Sequence, residues 1–349
     1  MRSNSLLSRF IARPEFGPFV LLVGEIVVFG LKSHAFLSKG NISNTLAFTP
    51  ELGMIALGMT MLMTAGEFDL SVGSVFGFSA VLMWTLYNKG ATSLEVGFLI
   101  AMGVAVVIGF ANGWLVTQLK IPSFLVTLGM LLIVRGSALY LTEGFPQGTW
   151  TAESPLTKIL VGDFHIGKLW FYVSLLGRTE YVEIGAFAGL RFFASLLWFI
   201  LFASVLGYLL TQSKVGNWIQ ASGGNPDSAR ARGVRVGRTK IMLFILTAVM
   251  SAYAGITSSI RVWTANPNSG TGYELEVIAM VVIGGTLLTG GRGTIIGTVL
   301  GVLILRVMRN GINFVHIPGL AYNIFIGAII LFMMALHSFL ERRHHRGTR

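Results

Sequence analysis

The feature that most constrains this chain is a series of ten apolar segments, each close to the length that crosses a lipid bilayer. A transmembrane helix needs about 20 apolar residues to cross a hydrocarbon layer of about 30 Å. The segments are residues 16–31, 46–65, 70–87, 94–117, 123–142, 192–211, 240–260, 274–289, 293–310 and 319–338. The chain is 53% hydrophobic and 12% charged, with a mean hydropathy of +0.72, more than a soluble domain can bury. We therefore predict an all-α integral membrane protein with about ten transmembrane helices.

The first apolar segment has some features of a secretory signal peptide. It follows Arg2, Arg9 and Arg13, and Ser33-His34-Ala35 has the composition of a cleavage site. Glu25 interrupts the apolar run. We therefore expect a retained first helix.

The distribution of lysine and arginine predicts the orientation, because cytoplasmic loops carry an excess of them. With the N-terminus inside, the cytoplasmic segments hold 15 of the 26 basic residues and the outer segments hold ten, counting Arg261, Arg306 and Arg309 as outer. Both termini are then cytoplasmic. The predicted divisions are a basic N-terminus (1–15), a first transmembrane half (16–211) with a long outer loop (143–191), a cytoplasmic coupling loop (212–239), a second half (240–338) and a basic tail (339–349).

An internal repeat relates spans two to five to spans seven to ten. The matches are Asn112-Gly113 with Asn310-Gly311, Ile121-Pro122 with Ile317-Pro318, Ala65-Gly66 with Ala254-Gly255, and the segment from Asp69 with the segment from Glu274. Under the predicted topology, the matched residues lie on opposite sides of the membrane. The pattern predicts an inverted repeat, and such repeats place a translocation pathway at their pseudo-two-fold interface.

Residues 221–233 form a polar stretch between two apolar spans and carry the signals of a short helix. Asn225 suits the N-cap, Pro226 the first turn and Asp227 the positive end of the helix dipole, while Arg230 and Arg232 suit its negative end and Gly233 a left-handed stop. We predict a small rigid helix on the cytoplasmic face. Such a helix can be contacted and displaced by a partner protein.

Several polar residues lie within or beside the apolar spans, where ionisable groups are functional candidates. The candidates for pathway or structural roles are Glu67, Asp69, Ser71, Ser74, Asn112, Arg135, Glu274, Glu276 and Asn310. Asp69 or Ser71 either caps the third span or takes part in coupling or substrate contact, and Glu274 and Glu276 have the same alternatives. Glycines at four-residue spacing predict close helix packing: Gly73, Gly77, Gly109, Gly113, Gly293, Gly297 and Gly301.

The sequence offers no catalytic chemistry of its own. It has no cysteine, its six histidines are scattered, and it contains no HExxH-type spacing. The net charge of +11 is spread over helix ends rather than gathered in one patch, which argues against nucleic acid as a partner. We expect neither an enzyme nor a metal or cofactor site in this chain.

Four segments together resemble the membrane permeases of bacterial ABC importers for sugars, the ribose-permease-like family. They are residues 66–74 (GEFDLSVGS), 121–129 (IPSFLVTLG), 221–233 (ASGGNPDSARARG) and 284–294 (GGTLLTGGRGT). Glu67-Phe68 departs from the family, which more often has glycine and an aliphatic residue there. Residues 150–190 match poorly.

The resemblance implies a multi-pass permease in the bacterial cytoplasmic (inner) membrane that works as a homodimer or as one of a pair. Its partners are ATP-binding subunits, which bind ATP and magnesium, and a periplasmic or extracellular substrate-binding protein. The coupling helix to the ATPase then comprises Gly223, Gly224, Asn225, Pro226, Asp227, Ala229, Arg230, Arg232 and Gly233.

The substrate class stays open between pentose, hexose and polyol. A branched-chain amino-acid ABC permease is one alternative. An ion-coupled secondary transporter is another, with Asp69 and Glu274 as candidate ion ligands.

Overall fold

The computed structural model describes residues 15–149, 154–165, 168–169, 182–183, 191–315 and 317–332, and these are mostly helical. Helices α1 to α13 are Phe16–Lys32, Lys39–Thr64, Val72–Asn88, Leu94–Gln118, Ser123–Thr142, Pro155–Val161, Ala194–Gln212, Lys214–Gly224, Pro226–Ala231, Val236–Arg261, Tyr273–Ile283, Ile295–Phe314 and Tyr322–Phe332. Short 3-10 turns cover His34–Leu37 and Gly319–Ala321. The predicted N-terminal segment up to residue 14, the tail 339–349 and the last span beyond 332 lie outside the described residues.

Each of the ten predicted spans overlaps a helix within the part of the chain that the structure describes. Six of these helices, α2, α4, α5, α7, α10 and α12, are long and apolar enough to cross a membrane. Helices α3 and α13 are apolar but shorter. The chain is therefore a mostly helical, multi-pass membrane protein, whereas the count of ten spans and the orientation stay predictions.

Two predicted boundaries were wrong. Helix α2 begins at Lys39 instead of 46 because its polar first turns have partners: Asn310 Nδ2 donates to Asn41 Oδ1 (2.8 Å) and to Thr45 Oγ1 (2.7 Å). Helix α11 ends at Ile283, after 11 residues, where Gly284 and Gly285 follow. At 1.5 Å per residue it is only about 16 Å long, so residues 274–289 do not form a complete span.

The described parts of the predicted outer loop form short β pairs, one of them with a strand after α10, and the all-α prediction did not include them. Strand β1 (Gln147–Gly148) pairs with β6 (Thr264–Ala265), β2 (Asp163–His165) with β5 (Arg191–Phe193), and β3 (Lys168–Leu169) with β4 (Val182–Glu183), all antiparallel. The β1–β6 pair joins the loop after α5 to the segment that follows α10.

Helices α2 and α10 occupy the centre of the bundle and connect the two halves. They run antiparallel, since Glu51 faces Arg261 near one end and Glu67 faces Lys240 near the other. Helix α10 packs against α3 and α4, while α2 packs against α11 and α12. Each central helix thus inserts into the opposite half, and this exchange supports the predicted inverted repeat.

One of the sequence matches behind the repeat was wrong. Gly66 lies in the loop after α2, with φ of 82°, whereas Gly255 lies inside α10. The two glycines are not structurally equivalent, because α2 reaches its end at Thr64 while Gly255 is still one and a half turns from the end of α10.

The predicted packing glycines make close backbone contacts, but not all with helices. A Cβ on Gly109 would lie 2.6 Å from the Cα of Ile245 in α10, and one on Gly113 would lie 2.7 Å from the Cα of Ile241. Gly297 and Gly301 contact α11 and its C-cap, whereas Gly73 and Gly77 contact the loop before α11. Gly293 lies in the loop before α12 and contacts Thr64 and Thr286.

We predict that Gly301→Ala lowers the free energy of unfolding by about 1–3 kcal/mol, because its Cβ would overlap the backbone carbonyl of Met280. Gly103→Ala is the matched control, since that glycine also lies inside a helix and nothing approaches its Cβ position within 4 Å. Thermal unfolding of the purified variants measures both effects. Equal midpoints for the two variants would contradict the packing argument.

Candidate functional site

The polar stretch 221–233 folds as two helices that meet at Asn225. Asn225 Oδ1 accepts a hydrogen bond from the Ser228 backbone N–H (2.9 Å), and Pro226 occupies the first position of α9. Gly233 ends the turn with φ of 85°. These capping features are as predicted, but Gly223 and Gly224 form the last residues of α8 rather than part of the capped helix.

Helix α9 presents charges to the surface and buries one small residue. Asp227 Oδ1 accepts from Arg230 Nη1 (2.6 Å), and both side chains are exposed, as is Arg232. Ala229 is buried on the opposite face. An exposed ion pair contributes little stability, so both charges remain accessible to a partner protein.

Three backbone segments meet beside the start of α9: the end of α2 with the residues after it (Thr64–Gly66), the end of α8 (Gly223–Gly224) and the loop before α12 (Gly290–Gly291). We call this meeting point the glycine junction. The Gly291 N–H donates to the Thr64 carbonyl (2.8 Å). A Cβ on Gly223 would lie 2.6 Å from the Gly291 nitrogen and would also overlap the Thr64 carbonyl, and one on Gly290 would lie 2.8 Å from the Gly66 Cα. Only glycine fits at Gly223, Gly290 and Gly291, because backbone meets backbone at these three positions.

The loop between α2 and α3 carries two acidic residues next to the junction. Lys240 Nζ donates to Glu67 Oε1 (2.5 Å), and this half-buried ion pair ties the loop to the start of α10. Asp69 Oδ1 accepts from Ser71 N (2.7 Å) and Ser71 Oγ (2.6 Å), while its Oδ2 accepts from Asn112 Nδ2 (3.3 Å). Asp69 therefore stabilises the turn that leads into α3 by binding Ser71, the N-cap residue, whose own side chain makes no cap hydrogen bond. The capping role and the coupling role of Asp69 both stay predictions.

The other predicted polar residues lie away from the junction. Arg135 Nη1 donates to the carbonyls of Pro267 (2.5 Å) and Ser269 (2.7 Å), and its charge interacts with Glu274. Glu276 accepts from Arg309 and Tyr322. Asn310 donates hydrogen bonds to Asn41 and Thr45 of α2. Ser74 is buried, and its hydroxyl has no hydrogen-bond partner among the described residues. The structure thus groups Glu67, Asp69, Ser71 and Asn112 near α9, and none of the others.

Two mostly buried charged residues, Lys240 and Arg306, were not among the predicted site residues. Lys240, the partner of Glu67, stood out only as a basic residue at the start of a span. Arg306 was counted in an outer segment, although it lies inside α12 and is 8% exposed. Ionisable residues inside apolar spans are functional candidates, and this rule, applied to every predicted span, would have identified Arg306 and Glu51 as candidate site residues.

The geometry of the glycine junction suits mechanical transmission. The capped surface helix α9 follows directly after α8, whose last residues Gly223 and Gly224 contact the segments that follow α2 and precede α12. Among the residues that the structure describes, no three His, Cys, Asp or Glu side chains are grouped in a way that could hold a metal ion.

Comparison with known proteins gives consistent matches along almost the whole chain. Residues 41–334 match the family described as branched-chain amino acid transport system / permease component. The xylose/arabinose import permease protein XylH of Sulfolobus acidocaldarius is 31% identical over 96% of this chain and 88% of its own length. The ribose import permease protein RbsC of Escherichia coli K12 is 32% identical over 91% of each chain. The xylose transport system permease protein XylH of Haemophilus influenzae is 31% identical over 90% of this chain and 94% of its own. No solved structure matches significantly.

We predict that Gly223→Ala separates the loops of the glycine junction and lowers the unfolding midpoint, at a cost of about 1–3 kcal/mol. Gly224→Ala is the matched control, because its Cβ would lie at an ordinary contact distance of 3.7 Å from Gly291. Thermal unfolding of both variants tests this. A Gly223→Ala protein as stable as the Gly224→Ala protein would show that the loops do not pack this closely.

Proposed function

We infer the function of this chain from the family to which it belongs, the branched-chain amino acid transport system / permease component family. The chain is the membrane-embedded permease subunit of an ABC importer that moves a sugar or sugar-like solute into the cell. The observation that carries this is its identity of 31–32% to named ribose and xylose import permeases over about nine-tenths of its length. Transport is its role, and ATP hydrolysis belongs to a partner subunit.

A branched-chain amino acid is the second candidate substrate, because the family description itself names that class. The individual relatives named above are sugar permeases, which favours a pentose or a related sugar. A direct comparison of uptake substrates separates the two candidates.

The proposed partners follow from the importer class. Two ATP-binding subunits, which hold ATP and magnesium, act from the cytoplasm, and a substrate-binding protein delivers the solute from outside. Two permease chains, identical or paired, complete the complex in the bacterial inner membrane. In this arrangement the termini and the α8–α9 segment face the cytoplasm, in line with the excess of lysine and arginine there.

We propose that α9 receives the motion of the ATPase and passes it on through the glycine junction. Its capped ends keep it rigid, so force applied to its surface displaces Gly223 and, through it, Thr64 and Gly291. The Glu67–Lys240 ion pair carries the same displacement to α10. Both central helices then move together, and access to the pathway switches from one side of the membrane to the other.

Reconstituted uptake tests the function. Proteoliposomes that contain the permease, its ATPase and its substrate-binding protein should take up radiolabelled xylose or ribose only when ATP is present at the ATPase side. The matched arm contains the permease alone with an imposed proton or sodium gradient. Gradient-driven uptake by the permease alone would overturn the ABC assignment in favour of a secondary transporter, and ATP-driven uptake of leucine in place of sugars would overturn the substrate class.

We predict that Asn225→Ala combined with Gly233→Ala uncouples transport while the protein still inserts into the membrane. Loss of the N-cap costs about 1 kcal/mol, and an alanine is strained at the left-handed position of Gly233, although nothing lies within 4 Å of its Cβ. ATP-driven uptake should fall about fivefold or more.

Ser93→Ala is the control variant for this prediction. Ser93 caps α4 at the opposite end of the bundle, where its side chain accepts from Val96 N (3.3 Å), so its loss should leave coupling intact. Equal uptake by the two variants would remove α9 from the mechanism.

A further inference from the structure

Arg306 stands out in the interior of the bundle because one edge of its side chain is unused. The residue is 8% exposed, and its Nε and Nη2 atoms have no hydrogen-bond partner within the described part of the chain. The Nε–H and Nη2–H groups lie on the same edge of the planar guanidinium. This edge can bind an anionic group through two parallel hydrogen bonds. Leaving such donors buried and unpaired is costly.

The nearby carboxylates are already engaged by other groups. Glu51 accepts from Arg261 Nε (3.1 Å), and both side chains are almost fully buried. Glu276 accepts from Arg309 Nη2 (2.8 Å) and from the Tyr322 hydroxyl (2.7 Å). Glu51 thus pairs with Arg261, and Glu276 pairs with Arg309. With Arg306, this group has three positive and two negative side chains, and Arg306 is the arginine whose Nε–Nη2 edge binds neither carboxylate.

The surroundings of Arg306 add further positive character. Arg306 interacts electrostatically with Arg261 and Tyr273, and also with Glu51, whose carboxylate accepts its hydrogen bond from Arg261 rather than from Arg306. Tyr273 is the first residue of α11, where the helix dipole is positive. In addition, Arg261 Nη1 is buried without a hydrogen-bond partner among the residues that the structure describes. All of these features favour an anion over a cation or a neutral group.

We propose that the Nε–Nη2 edge of Arg306 is the binding site for a small inorganic anion of the size of chloride. The anion neutralises the buried charge and satisfies both unpaired donors. It must be small because the side chains around Arg306 leave so little of the residue exposed. The site holds α2, α11 and α12 together, and it does not depend on which solute the protein transports.

Thermal unfolding in different salts tests the proposal. The purified protein in detergent should unfold at a midpoint about 2 °C or more higher in sodium chloride or bromide than in sodium gluconate of the same ionic strength, because ligands that bind the folded state raise its stability. Gluconate is too large for so enclosed a site. Arg306→Met, which removes the charge and the guanidinium donors but keeps an unbranched apolar stem, should abolish the difference between the salts.

Arg309→Met is the matched control, since Arg309 is partly exposed and already paired with Glu276. This variant should keep the halide effect whatever its absolute stability. Arg306→Lys retains the charge but loses the two-donor edge, so it should need a higher halide concentration for the same rise in midpoint. This variant also provides a test if Arg306→Met does not fold.

Bromide-soaked crystals of the unmodified protein should show anomalous signal beside Nε and Nη2 of Arg306. The proposal is overturned if the unmodified protein unfolds at the same midpoint in all three salts, or if Arg306→Met retains the full halide effect. It is also overturned if xylose or ribose, and not the halides, raises the midpoint through Arg306. None of these results bears on the uptake assays, so failure here leaves the proposed function standing.

Discussion

The close approach of helix backbones is the interaction on which the rest of this structure depends. Lipid supplies no hydrophobic force between helices, so they associate by packing and internal hydrogen bonds. Glycines let α10 approach both α3 and α4: a Cβ on Gly255 would overlap the Phe76 carbonyl, and Gly109 and Gly113 lie against the backbone of Ile245 and Ile241. Because α10 belongs to the second half and α3 and α4 to the first, these contacts are what make the two halves one bundle.

Helix α2 connects the two polar regions of the molecule. Thr64, its last residue, takes part in the glycine junction, and Glu51 lies 13 residues earlier, beside Arg261 and Arg306. The distance along the helix is about 20 Å, and almost every residue between them is buried. A buried helix of this kind moves as a rod. A displacement that begins at the glycine junction therefore reaches the charged residues beside the middle of α2 without passing through flexible segments.

The positions of the helices could be predicted well from the sequence, but the side-chain contacts between different helices could not. The ten apolar segments and the cap at Asn225 depend on local spacing, which the chain carries in full. The length of α11 was wrong because the apolar run continues past Gly284 and Gly285, and hydropathy alone does not register a break at glycine. The Lys240 partner of Glu67 and the unpaired edge of Arg306 arise from helices far apart in the chain, and no single-sequence pattern brings those residues together.

The glycine junction has a consequence for the rate at which its loops can shift. Where side chains interlock, relative sliding requires rotamers to change and neighbouring groups to repack. At Gly66, Gly223, Gly290 and Gly291 there are no side chains to interlock, and the contact surface is backbone alone. Because backbone alone fills this contact and the Gly291–Thr64 hydrogen bond joins two of its segments, a displacement crosses the junction without any side chain changing its rotamer. Side-chain repacking at this contact therefore does not limit how fast the bundle responds.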